Sequence, residues 1–407
     1  MKVFVARQSV FNRNEKVVAY QLLFRADPTV AYDATEAEVD AIRIIARTKQ
    51  VLIHFSRTLL KTEDFITYLP RQKVIVEIAD DAEANCGIVE ICKKLKRQGY
   101  GVALTASEFF NKLPELNNLV DIVKVNFLAN DCDERQWIAR HIQSPRIRLM
   151  AEKVETRQDF EQAASLGYTY FQGGFFCEPK ESSALVDLTD NRQHLQLLQD
   201  IYLTDFSYKR MEETVTDNDV FSLQLLKYVN CAAFEFPTRI DSVKYALIIL
   251  GKKEVEKWLS ILILQKMSRN ISEEILLIAL TRARFGELLV EQTNFQHYAR
   301  EAFVMGLFSL LDRILQLPWE DILAEFPLPS EVQNALLGKD NQISMFYYLV
   351  VSYENGRWNQ FSYYTAKCNI DEAAVPDVYL QALQWAEESL TMLHYNEEED
   401  LWQGDPC

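Results

Sequence analysis

With 407 residues the chain is longer than one hydrophobic core usually organises, so two or more domains are expected. Hydrophobic residues make up 48% and charged residues 25%, the balance of a globular protein with sizeable cores and not of a disordered chain. The 43 basic and 59 acidic residues leave a formal net charge of -16, a surface that repels phosphate backbones and anionic lipids, so neither a nucleic-acid polymer nor a membrane is an expected partner.

The opening MKVFVARQSVFNRNEK is a short β-like run followed by polar residues, without the apolar core and cleavage site of a signal peptide. Up to about residue 185 short β-rich runs alternate with helical stretches. VVAYQLLF, VLIHF, VIVEIA, GVALT, DIVKVNF, IRLMAE and YTYFQG carry the Val, Ile and aromatic residues of buried strands. GVALTASEFF reads as such a strand running through a loop into a helix. Between the strands, DAEANCGIVEICKKLKRQGY and TRQDFEQAASLGY have helical spacing, and Gly167 is a plausible stop for the second. A repeat of roughly 20 to 30 residues is the size of a βα unit. Seven or eight such units predict a closed (β/α) barrel, whose chemistry sits at the C-terminal strand ends. The polar residues there are Gln21, His54, Glu77, Thr105, Lys124, Glu152 and Gln172, all expected to face one mouth.

Cys86 and Cys92 are six apart, which fits no common zinc spacing, and there is no Cys-x-x-Cys pair. Free thiols and a cytoplasmic location are therefore expected. A polar joint, DLTDNRQHLQ, precedes a change of rhythm. From about Leu203 nearly everything has three- and four-residue apolar spacing: FSLQLLKYVNCAAF, DSVKYALIILGKKEVEKWLSILILQKMS, EEILLIALTRARFGELLVEQ, AREAFVMGLFSLLDRILQL and VYLQALQWAEESLTML. An all-α bundle follows from this. The apolar stretches YALIILG and FVMGLFSLLDRILQL are short or broken by charge, so neither is expected to span a bilayer.

The strand-end residues of the first half, over about residues 1 to 185, resemble the EAL domain, a TIM-like barrel that hydrolyses cyclic di-GMP. The Glu-x-Leu-x-Arg signature appears as YQLLFR, with Gln21 in the Glu place and Arg25 in the Arg place; LIHFS places His54 in the Asn position; and VEIAD keeps Glu77. The Asp-Asp turn appears as LTASE, with Thr105 and Ala106. VKVNF keeps Lys124 with Asn126 in the Asp place, AEKVET keeps Glu152 and Glu155 with Lys153 in the Gly place, and FQGGFF keeps Gln172. The second half resembles the HDOD domain, a relative of HD phosphohydrolases without their metal site, through LLKYVNCAAF, ALIILGKKEVEKWLSILIL, TRARFGELL and FVMGLFSLLD. Its missing His-Asp pair falls near Ser309 and Leu310, and from residue 204 onward His297 and His394 are the only histidines.

The resemblance implies a site with two divalent cations. Hard cations need anionic oxygen ligands. Gln21, Thr105 and Ala106 replace three carboxylates, so the expectation is a degenerate phosphodiesterase with no catalytic residue, no metal and no cofactor. Lys124 should pair with Glu77 or Glu152, because a buried charge seeks a partner. A changed metal held by His54, Glu77 and Glu152 is the alternative. The relic pocket of Gln21, Arg25, His54, Glu77, Lys124, Glu152, Glu155 and Gln172 leaves cyclic di-GMP open as a ligand, since a guanidinium suits phosphate. Otherwise Arg25 buttresses the barrel mouth through a salt bridge.

Arg282 and Arg284 face different sides of their helix. Trp258, Trp319, Trp358, Trp385 and Trp402 raise the question of an interface, with core packing as the simpler reading for most of them. The expected division is a degenerate EAL-like barrel over 1–188, a joint over 189–203, an HDOD-like helical domain over 204–395 and an acidic tail over 396–407. The expected function is a bacterial signal-transduction adaptor working through protein contacts with unidentified signalling proteins, with a homodimer left open. A cyclic di-GMP receptor is the alternative, and a residual phosphodiesterase the third reading.

Overall fold

A computed structural model describes residues 4–25, 36–47, 49–55, 69–78, 87–111, 113–142, 144–177, 197, 201–202, 208–230, 238–267, 272–326 and 328–399. The chain forms two compact units. The first comprises Met1–Glu178 together with Leu349–Ala366 and Asp371–Leu380; the second comprises Pro179–Tyr348, Lys367–Ile370 and Gln381–Cys407. The joint at 189–203 lies almost wholly outside the described residues, as do Cys86 and the tail beyond Glu399, including Trp402.

Eight strands close the barrel in sequence order: β1 Val5–Phe11, β2 Val17–Phe24, β3 Gln50–Phe55, β4 Val74–Ile78, β5 Gly101–Thr105, β6 Ile122–Asn126, β7 Arg148–Glu152 and β8 Tyr170–Phe171. β2 to β8 pair in parallel, whereas β1 pairs antiparallel with β2 and with β8. Hence the first pair is a hairpin and not a βα unit. Its turn is tied by Asn12, whose backbone N–H donates to Lys16 and whose side chain accepts from the N–H groups of Asn14 and Lys16.

Helices follow where the sequence has caps. Ile88–Gln98 ends at Gly99 in the left-handed region with φ 88°. Cys132–His141 starts with a capping box between Asp131 and Glu134. Thr156 caps Arg157–Ser165, and Gly167 follows at φ 99°. GVALTASEFF differs from expectation: β5 passes into the helix Ala106–Asn111 with no intervening loop.

The second unit is helical around a core that includes Leu225, Leu247, Leu259, Leu280, Phe308 and Phe326. Two runs read as single helices are broken. Gly251 takes φ 73° inside Val243–Met267, and the run from Ala299 divides into Ala299–Phe308 and Leu311–Leu315. Ser309 and Leu310 occupy that break. Among the described residues no single helix is long and apolar enough to cross a membrane.

Candidate functional site at the barrel mouth

Period-two alternation stacks the barrel interior in layers. The floor is apolar, built of Val10, Ala19, Leu52, Ile75, Ala103, Ile122 and Met150. Two residues further along each parallel strand stand Gln21, His54, Glu77, Thr105, Lys124 and Glu152. On antiparallel β1 the same step from Val10 leads back to Gln8, which lies opposite Gln21. Register thus carries the polar residues to one mouth, as the sequence predicts.

Lys124 organises this layer. Its side chain is 1% exposed, and Nζ lies 2.7 Å from Glu77 Oε1 and 2.6 Å from Glu152 Oε1. It therefore pairs with both carboxylates, where one or the other was expected. Gln21 donates through Nε2 to Glu77 Oε2 at 3.1 Å. Half-exposed His54 places Nδ1 at 3.4 Å from Glu77 Oε1. Burial opposes ionisation of Glu77, yet the His54 hydrogen bond and the Lys124 charge outweigh it and hold the carboxyl down to about 2. Burial likewise disfavours a charged Lys124, but the two carboxylates prevail and raise its pKa above the ordinary lysine value.

The other predicted residues have local partners. Thr105 Oγ1 is 3.1 Å from Ser107 Oγ, and Ala106 is buried at the start of its helix. Asn126 accepts the backbone N–H groups of Leu128 and Ala129 at 3.0 and 3.2 Å, which ties the turn after β6. Buried Gln172 donates to Gln8 Oε1 at 2.8 Å. Exposed Glu155 leans on Gly174, where an added Cβ would meet its Oε2 at 2.5 Å. Lys153 is exposed and takes the left-handed region at φ 55°, a conformation that costs a lysine what it would not cost the expected glycine. Arg25 pairs with Glu372 Oε2 at 2.7 Å and donates to Ser362 Oγ at 2.9 Å. Among the described residues, no three His, Cys, Asp or Glu side chains converge as a metal site would require.

In the helical unit Arg282 donates to Ser309 Oγ at 3.2 Å, and Arg284 pairs with Glu287 at 2.6 Å. Trp258 is buried in the core, Trp319 and Trp385 pack against it, and Trp358 sits in the barrel unit beside Phe4. Sequence reasoning missed Gln8, although alternation on β1 marks it. It also missed the partners of Arg25, which lie 347 and 337 positions away and leave no local signal. The half-exposed Trp137, stacked on His141 and close to Phe110, was missed too.

Comparison with known proteins adds the following. A family model of the HDOD domain matches residues 190–317. The chain is 32% identical over 405 residues to the uncharacterized protein YuxH of Bacillus subtilis (strain 168), covering 95% of this chain and 98% of YuxH. It is 26% identical over 400 residues to the cyclic di-GMP phosphodiesterase CdgJ of Vibrio cholerae serotype O1, covering 95% of this chain and 92% of CdgJ. Among solved structures, the EAL-domain protein YkuI of Bacillus subtilis, in complex with cyclic di-GMP and calcium, aligns at 18% identity and a TM-score of 0.36 over 61% of this chain and 73% of that one.

Proposed function

The chain belongs to the family that includes YuxH and joins an EAL-type barrel to an HDOD domain, and we propose that in this member the barrel is a non-catalytic signalling element that acts through protein contacts and does not cut cyclic di-GMP. The observation that carries this reading is the Lys124 ammonium held between Glu77 and Glu152. A buried carboxylate with a second, partly buried one beside it needs a counter-cation, and here the protein supplies its own. Gln21 turns an N–H donor toward Glu77, the orientation electrostatics requires beside a carboxylate, and a donor does not ligate a metal. Two hard dications would have to displace Lys124 and reverse Gln21 while finding few anionic oxygens, so this donor set does not fit them.

Signalling would then run through protein contacts of the barrel and helical units, with cyclic di-GMP as a candidate ligand of the mouth. Hydrolysis is the second reading, favoured by the name that CdgJ carries. The deciding experiment incubates the full chain with cyclic di-GMP in Mg²⁺ and in Mn²⁺ and follows the linear product by chromatography. The expected result is no product above a protein-free control. Metal-dependent product formation abolished by Glu77→Gln would overturn the reading.

A further inference from the structure

On the β1–β2 hairpin, Gln8 lies opposite Gln21 and Ala6 opposite Leu23. One further step on the same face brings Phe4 and Arg25 to the rim of the mouth, joined by a hydrogen bond from the Arg25 N–H to the Phe4 carbonyl at 3.1 Å. These rim positions are met by the late segment of the chain that belongs to the same unit. Trp358 and Phe361 stack edge-on against Phe4, with centroids at 6.2 and 5.7 Å. Gly356 takes φ 64° and approaches Leu23 so closely that a Cβ would lie 3.0 Å from its Cδ1. Glu372 and Ser362 take the Arg25 guanidinium, which also lies 5.0 Å from the Phe4 ring. Glu372 is held in turn by Thr365 Oγ1 at 3.1 Å. Behind these contacts Tyr353, Phe361, Val375 and Tyr379 are buried.

We infer that this segment, Leu349–Ala366 with Asp371–Leu380, is a displaceable cap over the β1–β2 side of the mouth, and that a phosphodiester ligand competes with Glu372 for Arg25. The guanidinium fork that fits a carboxylate fits a phosphate equally well, and it serves one of them at a time. The pair is about a third exposed on each side, at 31% and 34%, so it is weak enough to exchange. Gln21 and Gln172 add no charge to the opening, where Lys124 offsets one of the two carboxylates of Glu77 and Glu152. Linkage then makes the coupling reciprocal: whatever loosens the cap strengthens ligand binding, and ligand loosens the cap.

The inference rests on the mouth being a binding site, and its test uses the full chain with cyclic di-GMP as the probe. Calorimetry compares the native protein with Glu372→Ala and with the milder Ser362→Ala, while hydrogen exchange follows residues 358–380. Glu372→Ala is expected to bind about three- to fivefold more tightly, the scale of one partly exposed ion pair. Ser362→Ala should shift affinity less, in the same direction, and saturating ligand should speed exchange across 358–380 of the native chain. Affinities within twofold of each other, binding with no change in exchange, or no binding by any of the three proteins would each overturn the cap. Linear product is measured in the same samples, so hydrolysis would remove the non-catalytic reading without deciding the competition.

Discussion

Lys124 carries the electrostatics of the barrel mouth. An almost fully buried ammonium is tolerated because two carboxylates share it, and those carboxylates are tolerated because of it. Lys124→Met is therefore expected to destabilise the protein by about 3–5 kcal/mol at neutral pH, since it leaves Glu77 and Glu152 facing each other without a counter-charge. Urea unfolding measures this. The sign of its pH dependence follows from Glu77, whose folded pKa of about 2 lies below the ordinary 4.5. The stability that Glu77 contributes is present above pH 4.5 and is lost as pH falls toward 2. The gap between native and variant should narrow over that window, and a constant gap would mean that Lys124 acts through packing alone. This pairing was legible in the sequence, because a buried lysine among strand-end acids has few other partners. That it bridges both acids was not, because one-dimensional spacing does not fix which strand ends meet.

Helix faces were legible at the next scale, and helix interruptions were not. Three- and four-residue apolar spacing located Glu273–Glu291 within a residue, yet gave no sign that the run from Ala299 stops at Phe308 or that Gly251 turns the chain. Apolar periodicity does not encode a break, although Gly251 is the residue type that takes the left-handed region without strain. Gly306 shows what packing demands: an added Cβ there would lie 2.4 Å from Ala283 N, so Ala299–Phe308 crosses Glu273–Glu291 at backbone contact. The same helix pair is tied to Val243–Met267 by Lys257, whose Nζ lies 2.6 Å from the buried Glu287. Gly306→Val must push the crossing apart, with a cost of about 3 kcal/mol or more, because the obstruction is main chain and does not move like a side chain. Thermal unfolding of the full chain should show the loss, and an unchanged midpoint would mean that the two helices are not in backbone contact in solution.

For the whole molecule, the change of rhythm sets the expected helical domain at 204–395, whereas the HDOD family model matches residues 190–317. What chain order concealed is that the barrel unit is discontinuous, taking back Leu349–Ala366 and Asp371–Leu380 from within the helical half. An amphipathic helix announces that one face will be buried, but not against which core. The aromatic and polar run SYENGRWNQFSYYT carries no local sign of its partner, yet its Trp358 and Phe361 pack on Phe4 of the barrel. Phe361 is fully buried, so Phe361→Ala should cost about 3–5 kcal/mol. Where that cost is felt tests the discontinuous unit. Hydrogen exchange should quicken in residues 4–25, the hairpin that Phe361 covers, while helices such as Glu273–Glu291 keep their protection. The reverse pattern, with loss confined to the helices and none in the hairpin, would assign the segment to the helical core and leave the barrel complete without it.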